Sequence, residues 1–399
     1  MNNKEIVFGE NNKSFLRKKW DLLFKKIVIK RIPNIYIKNN QVLNINTETQ
    51  LKNLIDPKNF DSNKKWKVII LSFPLNNFVN LVSFFDSLDK ALDEETKIVV
   101  NYYSWIWRPI FSLFSIIGLI NNYNLLFFSK NTLNTFLRTC IFEVSKNLNN
   151  FFLPIDIPFV GKFITIILNL IPFSNYLNVS NIFFLRKKVY KNKQNQKLSL
   201  IVPCKNEELS IKSIVNDCRE KLNFPYELIF IDDRSSDQTL NIMNECKANN
   251  VDLDIKITNG LGQGRGLAVS EGVKIAKGTY CITYDADMTV NMFDINLFYS
   301  TISNGHADFI NGTRLVYKPN SGAMRYLNFL GNTFFAKFAS IITGEKITDT
   351  LCGSQCFITS DYQKFEEFKK KNRIIEILGT HNILFASNYY GLKSIDLPV

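Results

Sequence analysis

Histidine is nearly absent. His306 and His381 are the only two in 399 residues, which excludes chemistry built on several histidine ligands. The seven cysteines form no framework: their number is odd and no Cys-x-x-Cys pair occurs. They read as reduced, mostly buried thiols of a cytoplasmic chain. Cys352 and Cys356 lie close in sequence, but two ligands alone make a poor zinc site. The polar N-terminus, MNNKEIVFGENNKSFLRKKW, lacks the apolar core of a signal peptide. Uninterrupted apolar runs are also missing. Residues 159–177 are broken by Lys162, Asn169, Pro172 and Asn175, and residues 103–120 by Arg108 and Pro109. A span needs about twenty predominantly apolar residues, so both are expected to be buried or interfacial. Acid is in deficit, with 36 Asp and Glu against 49 Lys and Arg, a net charge of +13. That balance favours anionic partners: phosphorylated ligands, lipid phosphates, an anionic membrane face or nucleic acid. No zinc-finger spacing or compact basic helix supports a nucleic-acid polymer.

What is present is enough for two domains. Hydrophobic residues make up 46% of the chain, with 34 Phe, and a chain of this length suits two cores. The bias toward Phe, Ile, Asn and Lys has a bland explanation in an AT-rich genome. A seam lies at 187–197 (KKVYKNKQNQK), charged, amide-rich and without apolar period, which reads as a linker. Beyond it, apolar runs at 198–202, 226–231, 255–258 and 280–284 predict strands. Helical spacing predicts helices over 207–222, 236–248 and 266–276, the second capped by Ser236. This alternation predicts a mostly parallel sheet with helices on both faces. Ligands of such sheets sit beyond the carboxyl ends of the strands. Before the seam the pattern is also α/β, with strands at 67–73, 96–101 and 179–185 and helices at 78–92 and 133–140.

Three acid clusters fall at the predicted ligand edge. The first strand ends in Pro203-Cys204-Lys205-Asn206-Glu207, the second in Asp232-Asp233-Arg234-Ser235-Ser236-Asp237, the fourth in Asp285-Ala286-Asp287. Alternate carboxylates at a strand end suit Mg²⁺ or Mn²⁺, hard cations that take oxygen ligands and leave positions for phosphate oxygens. A lone Asp-x-Asp also occurs by chance on solvated turns. Here it follows an apolar strand, in register with two other acid-bearing ends. The segment Gly260-Leu261-Gly262-Gln263-Gly264-Arg265-Gly266 opens a helix, where glycines let backbone amides approach a phosphate and the helix start favours an anion.

The stretch SLIVPCKNEELSI…YELIFIDDRSSDQT…GQGRGLAVSEGVKIAKGTYCITYDADMT resembles the family 2 glycosyltransferases of GT-A fold, nearest to the branch that acts on polyprenyl phosphates. The resemblance covers 198–399, about half the chain. It implies a metal-assisted, inverting transfer from a UDP- or GDP-sugar to a polyprenyl phosphate or a cell-surface glycan, at the inner face of the cytoplasmic membrane. It places Pro203, Asn206, Glu207, Asp232 and Asp233 around the donor with Arg265 and Asp285, and the metal on Asp285 and Asp287. Arg314 and Arg325 would meet an anionic acceptor through forked hydrogen bonds. Asp349, in Asp-Thr-Leu-Cys-Gly, would take the proton of a hydroxyl acceptor. The stripe Tyr326, Phe329, Phe334, Phe335 and Phe338 defaults to the core. Three departures stand out. Relatives usually carry two acids where this chain reads Gly379-Thr380-His381-Asn382. Thr289 stands where the lipid-phosphate enzymes often have Gln. The chain stops at Leu397-Pro398-Val399, where relatives commonly continue, which reads as a truncation. The departures leave a second reading open, a catalytically weak nucleotide-sugar-binding or scaffold protein. A nucleotidyltransferase is disfavoured, because Lys205-Asn206-Glu207 replaces its usual glycine- and Arg-rich signature.

Residues 64–187 resemble the later strands of a class I methyltransferase, in the KVIILSFPL strand, the FFDSLDKAL helix and the TKIVVNYYSWIW strand. That fold binds its cofactor at a glycine-rich first loop, yet Gly9 is the only glycine before Gly118. A degenerate, partial Rossmann-like region without methyl transfer is expected over 1–187, joined by 188–197 to the GT-A domain of 198–399.

Overall fold

A computed structural model describes residues 34–46, 48–55, 66–78, 81–117, 129–148, 178–188, 196–314, 326–343, 347–372 and 379–399, with isolated positions besides. The expectations for 159–177 and Arg325 lie outside the described residues. Contacts divide the chain into two units, 1–188 and 189–399.

The first unit is a five-stranded sheet of order β1-β2-β3-β5-β4. Its strands are β1 (Val42–Ile45), β2 (Val68–Pro74), β3 (Lys97–Tyr103), β4 (Phe142–Leu148) and β5 (Ser180–Lys187). Its helices are α1 (Asn34–Lys38), α2 (Glu48–Ile55), α3 (Leu81–Ala91), α4 (Arg108–Ile116) and α5 (Lys130–Thr139). β1, β2 and β3 run parallel, and β5 lies antiparallel between β3 and β4. β2 is buried on both faces. Ile69 and Leu71 pack with Phe84, Phe85 and Leu88 of α3, while Val68 and Ile70 pack on the other side with Phe24, Val28 and Ile32. The continuous apolar run of β2 is the signature of such a doubly covered strand.

The second unit is a seven-stranded sheet of order β12-β10-β11-β9-β6-β7-β8. β6 is Leu198–Cys204, β7 Tyr226–Asp232, β8 Ile255–Asn259, β9 Tyr280–Thr283, β10 Phe309–Thr313, β11 Gln355–Ile358 and β12 Ser394–Pro398. The helices are α6 (Ile211–Lys221), α7 (Thr239–Asn249), α8 (Arg265–Ile275), α9 (Ile295–Ser303), α10 (Tyr326–Thr343), α11 (Tyr362–Asn372) and α12 (Gly379–Tyr389). β11 alone runs against the rest, so the sheet is mixed and mostly parallel. Leu200 and Val202 face α6 through Ile211, Ile214 and Cys218. Ile201 and Ile231 face α8, where a Cβ at Gly272 would come within 2.8 Å of each. Gly272 thus lets helix and sheet close, and helices cover both faces.

Two predicted helices start late. α6 begins at Ile211 rather than 207, because the backbone N–H of Glu207 donates to Thr239 Oγ1 at 2.8 Å. α7 begins at Thr239. Ser236 is not its cap; its N–H and hydroxyl donate to Asn206 Oδ1 at 2.8 and 3.2 Å. In both places the first turn is given up to bind one strand-end loop to the other. No described helix is long and apolar enough to cross a membrane.

Candidate donor and acceptor site

Register brings the acid clusters together. Cys204 pairs with Asp232, and Asp232 with Asn259, so three strands end level. β9 pairs with β6 up to Ile201 and Thr283, and Tyr284 N–H still reaches Ile201 O at 2.9 Å. Asp285 therefore emerges beside the β6 end. An open cleft of about 340 Å³ lies here, lined by Pro203, Lys205, Glu207, Asp233, Arg265, Asp285 and Asp287, with Cys204, Gly264, Ala268 and Ala286 between them.

Not every expected donor residue faces this cleft. Asn206, at φ 59°, is the brace between the two loops: its N–H donates to Ser235 Oγ at 3.0 Å while its carbonyl holds Ser236. Asp232 is buried and accepts from Ser235 N–H at 3.3 Å. Asp233 does something the sequence did not suggest. Its carboxylate accepts from Gly262 N–H at 2.7 Å and Gly264 N–H at 3.2 Å, and a Cβ at Gly260 would fall 2.5 Å from its Oδ1. The glycines thus fold the loop over an internal carboxylate, and two of the amides expected to cradle a phosphate are already engaged. Free cationic capacity at the cleft comes from side chains instead. Lys205 is exposed and lines it; as the one cation in the β6 end segment, it was visible in the sequence but given no role. Burial pushes the Cys204 thiol up, with Glu207 and Asp232 adding to the effect, which favours the protonated thiol.

Arg265, the first residue of α8, crosses the cleft floor. Its Nε donates to Asp285 Oδ1 at 2.6 Å and its Nη2 to Gly353 O at 2.6 Å. Thr283 Oγ1 donates to the same carbonyl at 2.6 Å. A Cβ at Gly353 would sit 1.7 Å from Asp285 Oδ2, so only glycine lets this loop lie on the carboxylate. Asp287 is exposed and accepts from Thr289 N–H at 3.1 Å. Among the described residues no cluster of three or more His, Cys, Asp or Glu side chains is placed to hold a metal ion. The donor set at Asp285 and Asp287 is two carboxylates. That suits a hard divalent cation whose remaining positions are filled by water and phosphate oxygens.

The loop that touches Asp285 leads to the predicted acceptor side. Asp349 is fully buried, at 0% exposure. Its Oδ1 accepts from Asn332 Nδ2 at 2.7 Å and Leu351 N–H at 2.8 Å; its Oδ2 accepts from Arg314 N–H at 3.1 Å and Nε at 3.3 Å. Four donors fill the four acceptor positions of a carboxylate. In this arrangement every acceptor position of Asp349 is taken by a protein donor, and the side chain ties Arg314 and the loop to α10. Arg314 keeps part of its guanidinium accessible, with a side chain 30% exposed.

The default for the aromatic stripe also fails where it is described. Phe334, Phe335 and Phe338 of α10 are exposed at 67%, 60% and 54%, while Asn332, Ala336 and Ala339 turn inward. Leu351, two residues from Asp349, is exposed as well. The segment with Thr380 and His381 opens α12, and Asn382 is buried beside Gly266, Glu366 and Lys369. It therefore lies near the start of α8. All seven cysteines are free, and burial pushes Cys352 up to about 12. Cys352 and Cys356 are both buried.

Residues 199–367 match the family described as Glycosyl transferase family 2. Similar curated proteins include a dolichyl-phosphate beta-glucosyltransferase of Dictyostelium discoideum, 28% identical over 40% of this chain and 53% of its own length. A dolichyl-phosphate hexose transferase of Haloferax volcanii is 28% identical over 50% of this chain and 82% of its own. This chain thus spans about half the length of the first relative. Among solved structures, glucosyl-3-phosphoglycerate synthase from Mycobacterium tuberculosis with Mn²⁺, uridine-diphosphate and glucosyl-3-phosphoglycerate is 14% identical. It covers 53% of this chain and 73% of that one, with a TM-score of 0.40. The matched residues all lie in the second unit, whose mixed, mostly parallel sheet with helices on both faces is a GT-A-like α/β fold.

Proposed function

We propose that the second unit transfers a hexosyl group, with inversion, from a UDP- or GDP-sugar to a polyprenyl phosphate or a glycan hydroxyl, assisted by Mg²⁺ or Mn²⁺ on Asp285 and Asp287. The observation that carries this reading is the cleft itself. Two strand ends and the start of α8 deliver Lys205 and Glu207, Asp285 and Asp287, and Arg265 to one open volume. In the transfer, the acceptor oxygen attacks the anomeric carbon, the bond to the donor diphosphate breaks, and the nucleoside diphosphate leaves with the electron pair. The divalent ion, when bound, neutralises charge on the diphosphate. Lys205 and Arg265 supply positive charge on the same side, and Pro203 and Glu207 line the donor end. Asp232, Asp233 and Asn206 hold the loops in shape.

An acceptor phosphate is already ionised and needs no base. A hydroxyl acceptor must lose a proton, and in this reading Asp349, with its acceptor positions occupied, does not take it. The exposed Phe334, Phe335 and Phe338 lie on the helix whose Asn332 holds Asp349, and Asp349 holds Arg314. A cation tied through Asp349 to the helix that carries an exposed aromatic ridge suits a phosphate on an apolar chain, so we favour the polyprenyl phosphate and a peripheral place at the inner membrane face. Arg325 is kept as a second contact for that phosphate.

Asn382 and Thr380 support the alternative, a nucleotide-sugar-binding protein with weak turnover. For the first unit we retain a degenerate methyltransferase-like region, consistent with its scarcity of glycine. The deciding experiment is nucleotide-sugar hydrolysis and transfer to a short polyprenyl phosphate with Mn²⁺. Transfer that disappears in Asp285→Ala and Asp287→Ala is expected. Donor binding without turnover selects the alternative, and unchanged turnover in both variants removes the metal assignment.

A further inference from the structure

We propose that α4, with the tryptophans just ahead of it, is an in-plane docking helix for the interface of an anionic lipid bilayer. The sequence supplies the chemistry. Between Glu95 and Glu143 there is no Asp or Glu, while Lys97, Arg108, Lys130 and Arg138 fall inside. The segment 105–117 reads WIWRPIFSLFSII, with two tryptophans and an arginine at one end of an aliphatic run.

The structure gives that run two different faces. Phe111 and Trp107 turn toward the unit and pack with Tyr103, Val179 and Phe127, the Tyr103 and Phe111 rings lying 5.1 Å apart. Trp105, Ile106, Ile110, Leu113, Ile116 and Ile117 turn outward, with exposures from 39% at Ile106 to 81% at Ile116. Ile106, Ile110, Leu113 and Ile117 follow helical spacing and form one stripe. A contiguous patch of large aliphatic side chains marks an interaction surface, unlike apolar residues scattered singly.

Lipid fits this patch better than a protein partner does. α4 has nine residues, about 14 Å at 1.5 Å per residue, against a hydrocarbon core of about 30 Å. It is too short to cross and long enough to lie in the interface. Tryptophan prefers headgroup depth. The exposed Arg108 and the absence of acid across the whole stretch match an anionic surface. The inference deepens the peripheral membrane placement proposed above and rests on it for location only, since α4 lies outside the family 2 match.

The test uses the full chain and flotation with phosphatidylcholine vesicles, with and without phosphatidylglycerol. The chain is expected to float with anionic vesicles, with its tryptophan emission shifted to shorter wavelength. Combining Ile110→Ser, Leu113→Ser and Ile117→Ser should weaken partitioning by about a hundredfold. Arg108→Glu should weaken it only on anionic vesicles. Neither variant should lower the unfolding temperature or its rise on adding UDP-sugar. A full chain that stays out of every vesicle fraction overturns the proposal. So does a triple variant that unfolds earlier, or turns a dimer into a monomer, with vesicle binding unaltered, because another protein surface then covers the face. If vesicle binding holds but no nucleotide sugar binds, the transferase reading fails and this one stands.

Discussion

Asp285 and Asp349 meet the same short loop, Asp349 within it and Asp285 beneath its Gly353, yet their surroundings are opposite. Asp285 is partly exposed, and its carboxylate pairs with the Arg265 guanidinium, with Gly353 packed on its other oxygen. Asp349 is buried, and all four of its acceptor positions are filled. A carboxylate's role is set by the lone pairs and access left to it. Asp285 can exchange partners; Asp349 cannot without leaving buried donors unpaired. Placing the same substitution at both sites sharpens that contrast. Asp349→Ala strands Asn332, Leu351 N–H and a partly exposed arginine, and is expected to cost about 3 kcal/mol of stability. Chemical denaturation would register it, and acceptor KM should rise in the folded fraction. Asp349→Asn should recover part of the stability. If Asp349→Ala folds normally and loses only turnover, the base assignment returns.

At Asp285 the expected loss is kinetic. Asp285→Ala should lower kcat by about a hundredfold or more and abolish Mn²⁺ binding seen by electron paramagnetic resonance, with unfolding nearly unchanged. Gly353→Ala tests the joint between the two ends. Its Cβ would overlap Asp285 Oδ2, so either the loop or the carboxylate must shift, at about 1–3 kcal/mol. The expected result is weaker Mn²⁺ binding together with a higher acceptor KM. A change in acceptor KM alone would mean that the loop yields and the carboxylate stays.

The contrast also explains what was legible from the sequence. The donor edge was readable because its signals are local: an apolar strand, then acid, three times along the chain, with the sheet's parallel order implied by the intervening helices. The acceptor end was not. Asp349 is satisfied by Asn332 and Arg314, 17 and 35 residues away, and nothing beside Asp349 announces them. The loop-bracing bonds of Asp233 were hidden for the same reason, since its partners are amides 29 and 31 residues on. The exposed Phe334, Phe335 and Phe338 defeated a rule that apolar stripes face the core, which holds only for helices with a protein on that side. In the first unit, Val42–Ile45 escaped notice as four residues between polar neighbours, and Phe142–Leu148 because an edge strand with Glu143, Ser145, Lys146 and Asn147 breaks the expected alternation.

Away from the cleft, Glu227 offers a smaller, pH-dependent comparison. Burial alone would raise its pKa, but hydrogen bonds from Lys256, Ser199 and the Lys277 N–H outweigh it and hold the carboxyl down to about 2. A depressed carboxylate contributes stability that is fully present above its unfolded pKa, about 4.3, and that is lost as pH falls toward 2. The second unit's unfolding midpoint should therefore drop steeply across that window. Glu227→Gln should make the drop shallower while lowering stability at neutral pH. An unchanged slope would show that Glu227 is not the group responsible.

The smallest expected effect is the most diagnostic for Asp285. A divalent ion held by Asp285 would compete with Arg265 for that carboxylate, and the guanidinium would be displaced as the donor arrives. The released charge then has a new partner in the diphosphate. The pair is about 30% exposed on both sides, so solvent screens it to roughly 1 kcal/mol or less. Arg265→Gln should accordingly tighten Mn²⁺ binding by no more than about fivefold without nucleotide, and weaken UDP binding when Mn²⁺ is present. The two changes must carry opposite signs. If both affinities fall, Arg265 serves only to orient Asp285, and the exchange of partners that separates Asp285 from Asp349 does not occur.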